Sequence, residues 1–366
     1  MELIQHPDGV YLGLNHQRYL NDTALGSGAI KLLSYSPVEW FDQSPYNPFC
    51  APPNAEEAKH YRVGSATHAA TLEGLKTYEE VFGVQPTLET HPDALESVRD
   101  LQAELARYHA PTGGVKAELI RRLALTPSKR PVLDTLVEQF RMSGKRLILP
   151  AEDRRVRILQ RLAMASPEEF QLKTGEMTTL RGAFTGGLSE VSVFWTDEWD
   201  IRHRVRFDKL KPRLHGDVKT LAGWKTDIEP TLTMDAFTRS LLREAKQRRY
   251  PLQAACYEAG YPHLVRLVDE GKVFGGTPAE RAMLEEICAS QVWTWMWMFM
   301  LTTGAPRVKG VLYDLDGPRH AKNLSDREDA IAQFFRYREM FGLGEGALWF
   351  DPHAVVHPDE DDWGMA

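Results

Sequence analysis

Two carboxylates and an ammonium lie close together in the chain: Asp208, then Asp217-Val218-Lys219. Side chains along a strand alternate faces with period two, so Asp217 and Lys219 project together while Val218 packs on the other face. The run Ile201 to Leu210 alternates apolar and polar residues, as a half-buried strand does. Pro212 to Gly216 supplies turn chemistry, and Asp217 opens a second strand. If that hairpin closes, Asp208 lands beside Asp217 and Lys219. Such a surface binds a hard divalent cation and a phosphate together. Charged residues make up 26% of the 366 positions, so a single Asp-x-Lys also arises by chance and other residues must add to it.

Several do. Leu188 to Trp195 alternates as a strand with Glu190 on its polar face. Tyr61 to Gly74 reads as a helix with His68 in its middle. Its Gly64, Ala66, Ala69 and Ala70 form a small-residue face able to lie close against a sheet. A lone helical histidine is more often structural than a ligand, yet neutral imidazole is a common metal ligand. Past Trp224 and Pro230, Asp235 to Leu242 is helical. A long helix then holds Arg248, Arg249, Tyr250, Gln253 and Tyr257, and Gln253 and Tyr257, four apart, share one face.

Other elements must position these groups. Gly28 to Ser34 reads as a short helix, and Ser36-Pro37 before an acidic residue and aromatics marks a second helix start. Residues 43–60 look like a loop. Val132 to Phe140 and Glu152 to Ala165 are amphipathic and helical, and 171–187 is turn-rich. Val292 to Met300 reads as a buried, aromatic-rich strand with Arg307 to Asp314 as its neighbour. Ser325-Asp-Arg-Glu328 is a capping-box start for a helix reaching about Phe341.

Composition narrows the classes. The net charge is −7, but part of the acid sits in Asp359-Glu360-Asp361-Asp362, which reads as a solvated tail. Phosphate binding requires a basic groove rather than a basic total. Cys50, Cys256 and Cys288 form no CxxC pair, which argues against zinc, an iron–sulfur cluster and a disulfide framework and fits a reducing cytoplasm. The first residues lack the basic and apolar regions of a signal peptide, and no run of about 20 apolar residues predicts a membrane span. There is no P-loop, Rossmann glycine fingerprint or nucleophile elbow.

Residues 95–125 form a distinct unit. Val98, Leu101 and Leu105 recur at helical spacing, Pro111-Thr-Gly113-Gly114 breaks the chain, and Lys116 to Leu123 starts a second helix with a basic face. This pattern resembles the SAP motif, a small helical DNA-binding module. The resemblance implies that Lys116, Arg121, Arg122, Lys129 and Arg130 contact phosphates without reading bases.

The ordered set of His68, Glu190, Arg206-x-Asp208, Asp217-x-Lys219-Thr220 and Gln253-x3-Tyr257 resembles the PD-(D/E)XK nuclease superfamily. More narrowly, it resembles the RecE-type (exonuclease VIII) branch, related to the RecB and AddB nuclease domains. The likeness covers most of residues 20–345, with 90–180 as an insertion. The first acidic motif lacks the Pro-Asp pair of the superfamily's name. The resemblance implies an α/β nuclease core, a mixed central sheet flanked by helices, plus a helical insertion. Expected boundaries are 1–90 and 181–350 for the core, 91–180 for the insertion and 351–366 for the acidic tail.

The same resemblance implies metal-dependent hydrolysis of DNA, 5′ to 3′ from duplex ends. His68, Asp208 and Asp217, with the Val218 carbonyl, would hold Mg²⁺ or Mn²⁺. Lys219 would orient or activate the attacking water, and Glu190 would bind through water or hold a second ion. Gln253 and Tyr257 would steady the site, and Arg248 and Arg249 would clamp phosphates. By the same analogy the protein would form ring-like homo-oligomers in a phage setting, with a single-strand annealing partner. The alternatives are an endonuclease or single-strand exonuclease on the same core, and a DNA-binding recombination accessory without activity.

Overall fold

The strand Thr294–Leu301 is buried along its whole length, and its sequence sorts itself by face. Trp295, Trp297, Phe299 and Leu301 enter the main core, while Met296, Met298 and Met300 enter a second one. This is the period-two alternation of a strand covered on both sides. The aromatic face packs with helices Tyr250–Asp269 and Pro318–Phe341. The methionine face packs with Leu159 and Ala163 of Pro150–Ala165 and with Leu180 and Phe184 of Leu180–Phe184. The computed structural model describes residues 4–47, 49–50, 59–224, 228–344 and 346–352; the acidic run 359–362 lies outside them. Among the described residues no helix is long and apolar enough to cross a membrane.

The fold is mixed α/β. Seven strands form the central sheet in the order Val308–Tyr313, Thr294–Leu301, Leu214–Leu221, Arg202–Lys211, Leu188–Thr196, Gly9–Leu12, Val273–Gly275. Leu214–Leu221 runs parallel to Thr294–Leu301 over its full length. On its other side it pairs antiparallel with Arg202–Lys211 only through Lys209↔Gly216, Leu210↔His215 and Lys211↔Leu214. Beyond Gly216 those two strands part. There the Val218 N–H, with no ladder partner on that side, donates to Asp208 Oδ2 at 2.8 Å. The neighbouring ladder is distorted at the same level: it steps from Ser189↔Lys209 to Val191↔Phe207 and skips Glu190, whose φ is +57°. A non-glycine residue in the left-handed region is strained by about 1–3 kcal/mol, and such strain concentrates at functional sites.

Several boundaries differ from the sequence reading, each for a local reason. The hairpin turn is only Pro212-Arg213, with Arg213 at φ +69°, so His215 and Gly216 already belong to the strand. The α-helix Lys59–His68 passes into a π-turn at Ala69–Glu73, which puts His68 at the junction instead of mid-helix; π-turns occur often at functional sites. Arg248 and Arg249 are not inside a long helix. They join Ala236–Gln247 to Tyr250–Asp269, with Arg249 at φ +51°. Pro251 forces this break, because it lacks the N–H that a continuing helix needs. Ser325 is interior to Pro318–Phe341, since Pro318 at the first helical position starts that helix a turn or more earlier. Residues 171–187 are not only turns: Glu169–Gln171 pairs with Met177–Thr179, and Leu180–Phe184 follows.

The small-residue face of Lys59–His68 does approach the sheet. A Cβ on Gly64 would stand 3.0 Å from Thr220 Oγ1, on the strand that carries Lys219. Gly64→Val should therefore lower folding stability by about 1–3 kcal/mol through overpacking, as read by urea titration. An unchanged midpoint would show that the helix and strand can separate freely.

Candidate active site

The parting of Arg202–Lys211 and Leu214–Leu221 gathers most of the chemistry-bearing residues. One ligand atom from each of His68, Glu190 and Asp208 lies within 4.8 Å of the others. His68 comes from the helix end, Glu190 from the distorted strand and Asp208 from its neighbour. His68 Nδ1 lies 3.7 Å from Asp208 Oδ2. The His68 ring also hydrogen-bonds the Val218 backbone, and burial holds its pKa below the usual imidazole value. A neutral ring fixed through one nitrogen leaves the other nitrogen's lone pair for a ligand. Glu190 is ion-paired to Arg206, which also donates to the Leu14 carbonyl at 2.9 Å and stands over Tyr19. Burial pushes the Asp208 carboxyl well above the usual range, and the charges of Asp217 and Glu190 add to that. Lys219 and the Val218 N–H offset only part of it.

Lys219 and its partners form the other half. Asp217 and Lys219 share a face, as the strand period requires, and Val218 packs into the methionine-side core. Lys219 Nζ lies 2.6 Å from Asp217 Oδ2 and donates to Gln253 Oε1 at 3.0 Å. Gln253 Nε2 reaches Asp217 Oδ1 at 3.3 Å and Tyr257 OH at 3.4 Å. Burial works against the Lys219 ammonium, but Asp217 and Asp208 outweigh it and its pKa is raised. Asp217 is thus engaged with Lys219 and Gln253 and stands outside the compact group of three, where Glu190 takes the place expected for it.

The structure also shows a residue that sequence reasoning missed. Lys31, on Ser27–Leu33, reaches Gln253, and the ring of Tyr250 lies under both Lys31 and Lys219. Arg206, already part of the Arg206-x-Asp208 pattern, is the cation that pairs with Glu190. Nothing local marks Lys31.

The basic residues outside this centre are largely occupied. Arg249 bonds Ser34 and Asp326 and stacks over Tyr35, and Arg248 pairs with Glu244. Lys116 pairs with Asp134 at 2.8 Å, Arg122 donates to the Pro111 and Gly113 carbonyls, and Arg130 donates to Glu104 and the Asp93 carbonyl. Arg121 and Lys129 remain exposed. The helices Val98–Arg107 and Lys116–Leu123 close on their own core of Leu95, Leu101, Leu105, Leu119 and Leu123.

Residues 97–124, which span both of these helices, match the SAP domain. No curated protein matches the chain. Among solved structures, the chain is similar to the crystal structure of a protein from Eubacterium rectale described as a candidate exonuclease. The two share 10% sequence identity over 97% of this chain and 99% of that one, with a TM-score of 0.38.

Proposed function

We propose that this protein is a metal-dependent DNA nuclease acting as an exonuclease on duplex ends. The observation that carries the reading is the meeting of the His68, Glu190 and Asp208 donors with the Asp217–Lys219–Gln253 group where two strands part. The donor set fits a hard divalent cation. It is oxygen-rich with one imidazole, which suits Mg²⁺ or Mn²⁺ better than zinc. Burial first, and then the charges of Asp217 and Glu190, raise the Asp208 pKa, and a cation bound there would offset both.

His68, Glu190 and Asp208 would hold the ion, with Asp217 and the Val218 carbonyl as adjoining donors. An ion held there supplies Lewis acidity toward the phosphate and acidifies a water. Lys219 donates to a non-bridging phosphate oxygen and offsets the charge that builds up during attack. Gln253 fixes Lys219 and Asp217 in register, and Tyr257 steadies Gln253. The hairpin 97–124 would bind the DNA backbone. Exonucleolytic action, 5′-to-3′ direction, ring-like assembly and an annealing partner rest on the resemblance to RecE-type enzymes. A cytoplasmic setting rests on the cysteine usage.

The test is digestion of a linear duplex with Mg²⁺, with and without EDTA, beside a covalently closed circle. Loss of the linear DNA alone, abolished by EDTA, is the expected result. Cleavage of circles would favour an endonuclease, and DNA binding without cleavage would favour the accessory-protein reading. Two exposed cations, Arg121 on the hairpin and Lys129 just beyond it, give a second expectation. Arg121→Glu with Lys129→Glu should weaken duplex binding and flatten the dependence of log K on log salt by about 2. An unchanged slope would remove this face from the DNA interface.

A further inference from the structure

Lys31 Nζ lies 3.4 Å from Gln253 Oε1, the same oxygen that accepts from Lys219 Nζ at 3.0 Å. Both ammonium groups stand over the Tyr250 ring, 5.2 and 4.7 Å from its centroid. Lys219 has a counter-charge in Asp217. Among the described residues no carboxylate pairs with Lys31. Two like charges therefore share one neutral acceptor in a half-buried place, and the Tyr250 ring holds both by cation–π attraction. Burial, then the charge of Lys219, bring the Lys31 pKa down to about 8. A group held this way is short of an anion.

We infer that Lys31 is a second phosphate-binding cation of the site, taking an oxygen of the nucleic-acid strand beside the one that Lys219 takes. The inference rests on the nuclease reading and extends it to a residue from the amino-terminal part of the chain. A phosphodiester presents two non-bridging oxygens, and two ammonium groups around one acceptor match that geometry. Lys31 touches none of His68, Glu190 or Asp208, so its role is separable from metal binding.

The experiment compares the wild type with Lys31→Met, Lys31→Gln and Lys31→Arg. Three quantities are read: single-turnover cleavage of a linear duplex with Mg²⁺, duplex affinity across a salt series with Ca²⁺, and Mn²⁺ affinity by electron paramagnetic resonance. Lys31→Met should lose about ten- to a hundredfold in rate or affinity, as expected for a charge-assisted hydrogen bond. Its salt slope should fall by about 1. Lys31→Gln, which keeps the stem and a polar head, should behave like Lys31→Met and serves if that variant does not fold. Lys31→Arg should recover most of the loss, and Mn²⁺ affinity should stay at the wild-type value throughout. A wild-type rate and salt slope in both uncharged variants would overturn the inference and leave the nuclease reading standing. A wild type that binds Mn²⁺ and DNA but cuts nothing would overturn both.

Discussion

Lys219→Ala should lower the single-turnover rate of duplex cleavage by about a hundred- to a thousandfold, the usual effect of removing one preorganised donor to a developing oxyanion. Mn²⁺ affinity should not fall, because Lys219 is not among the three gathered donors and its removal takes a positive charge away from Asp208 and Asp217. The variant also carries a stability cost with a distinct signature. Asp217 is 1% exposed and its counter-charge is Lys219. Removing one partner of a buried pair leaves an uncompensated charge and typically costs about 3–5 kcal/mol. Removing both costs much less. The double variant Asp217→Asn/Lys219→Met should therefore melt well above Lys219→Ala while remaining as inactive. Rates must be taken below the lowered melting temperature. A Lys219→Ala protein that is folded at the assay temperature and cuts at the wild-type rate would remove Lys219 from the chemistry.

The second large effect is a change of sign between metal-free and metal-bound protein. Burial and two neighbouring carboxylates raise the folded-state pKa of Asp208 well above its unfolded value. A carboxyl shifted upward contributes stability that is fully present below the unfolded pKa and is lost as pH rises through the folded one. Above that value, metal-free protein carries an ionised Asp208 that the fold disfavours. Asp208→Asn removes the charge and keeps an oxygen to accept from the Val218 N–H. Without metal, near neutral pH, Asp208→Asn should melt a few degrees above the wild type, and the gap should close as the solution is acidified. With Mn²⁺ the order should reverse. The wild type gains about 2.7 kcal/mol when the ion is at a hundred times its Kd, and the variant gains little. Scanning calorimetry in EDTA and in Mn²⁺ checks both halves. Equal gains from Mn²⁺ in the two proteins would place the ion elsewhere.

What could be read from the sequence divides along a physical line. Period two placed Asp217 and Lys219 on one face and Val218 on the other, and helical spacing placed Gln253 beside Tyr257; both are set by local backbone geometry. The leucine spacing around Pro111 found the hairpin of 97–124 for the same reason. The grouping of donors was harder. Glu190 joins His68 and Asp208 because its strand is distorted and two other strands part, which only the assembled sheet decides. Asp217 looked like an equal of Asp208 in the chain, yet the helix bearing Gln253 holds it against Lys219. Lys31 was out of reach, since nothing near it in sequence bears on Tyr250 or Gln253. Start signals misled where two competed: Ser325 has capping-box spacing, but Pro318 had already opened the helix.

Metal binding by His68, Glu190 and Asp208 underlies the proposed catalysis. Its most direct test is a crystal of the wild-type protein grown with Mn²⁺ and measured at the manganese absorption edge. An anomalous peak is expected about 2.1 Å from a ring nitrogen of His68 and from carboxylate oxygens of Glu190 and Asp208, and it should be absent from Asp208→Asn crystals. A peak bound elsewhere, or none at saturating Mn²⁺, would contradict it.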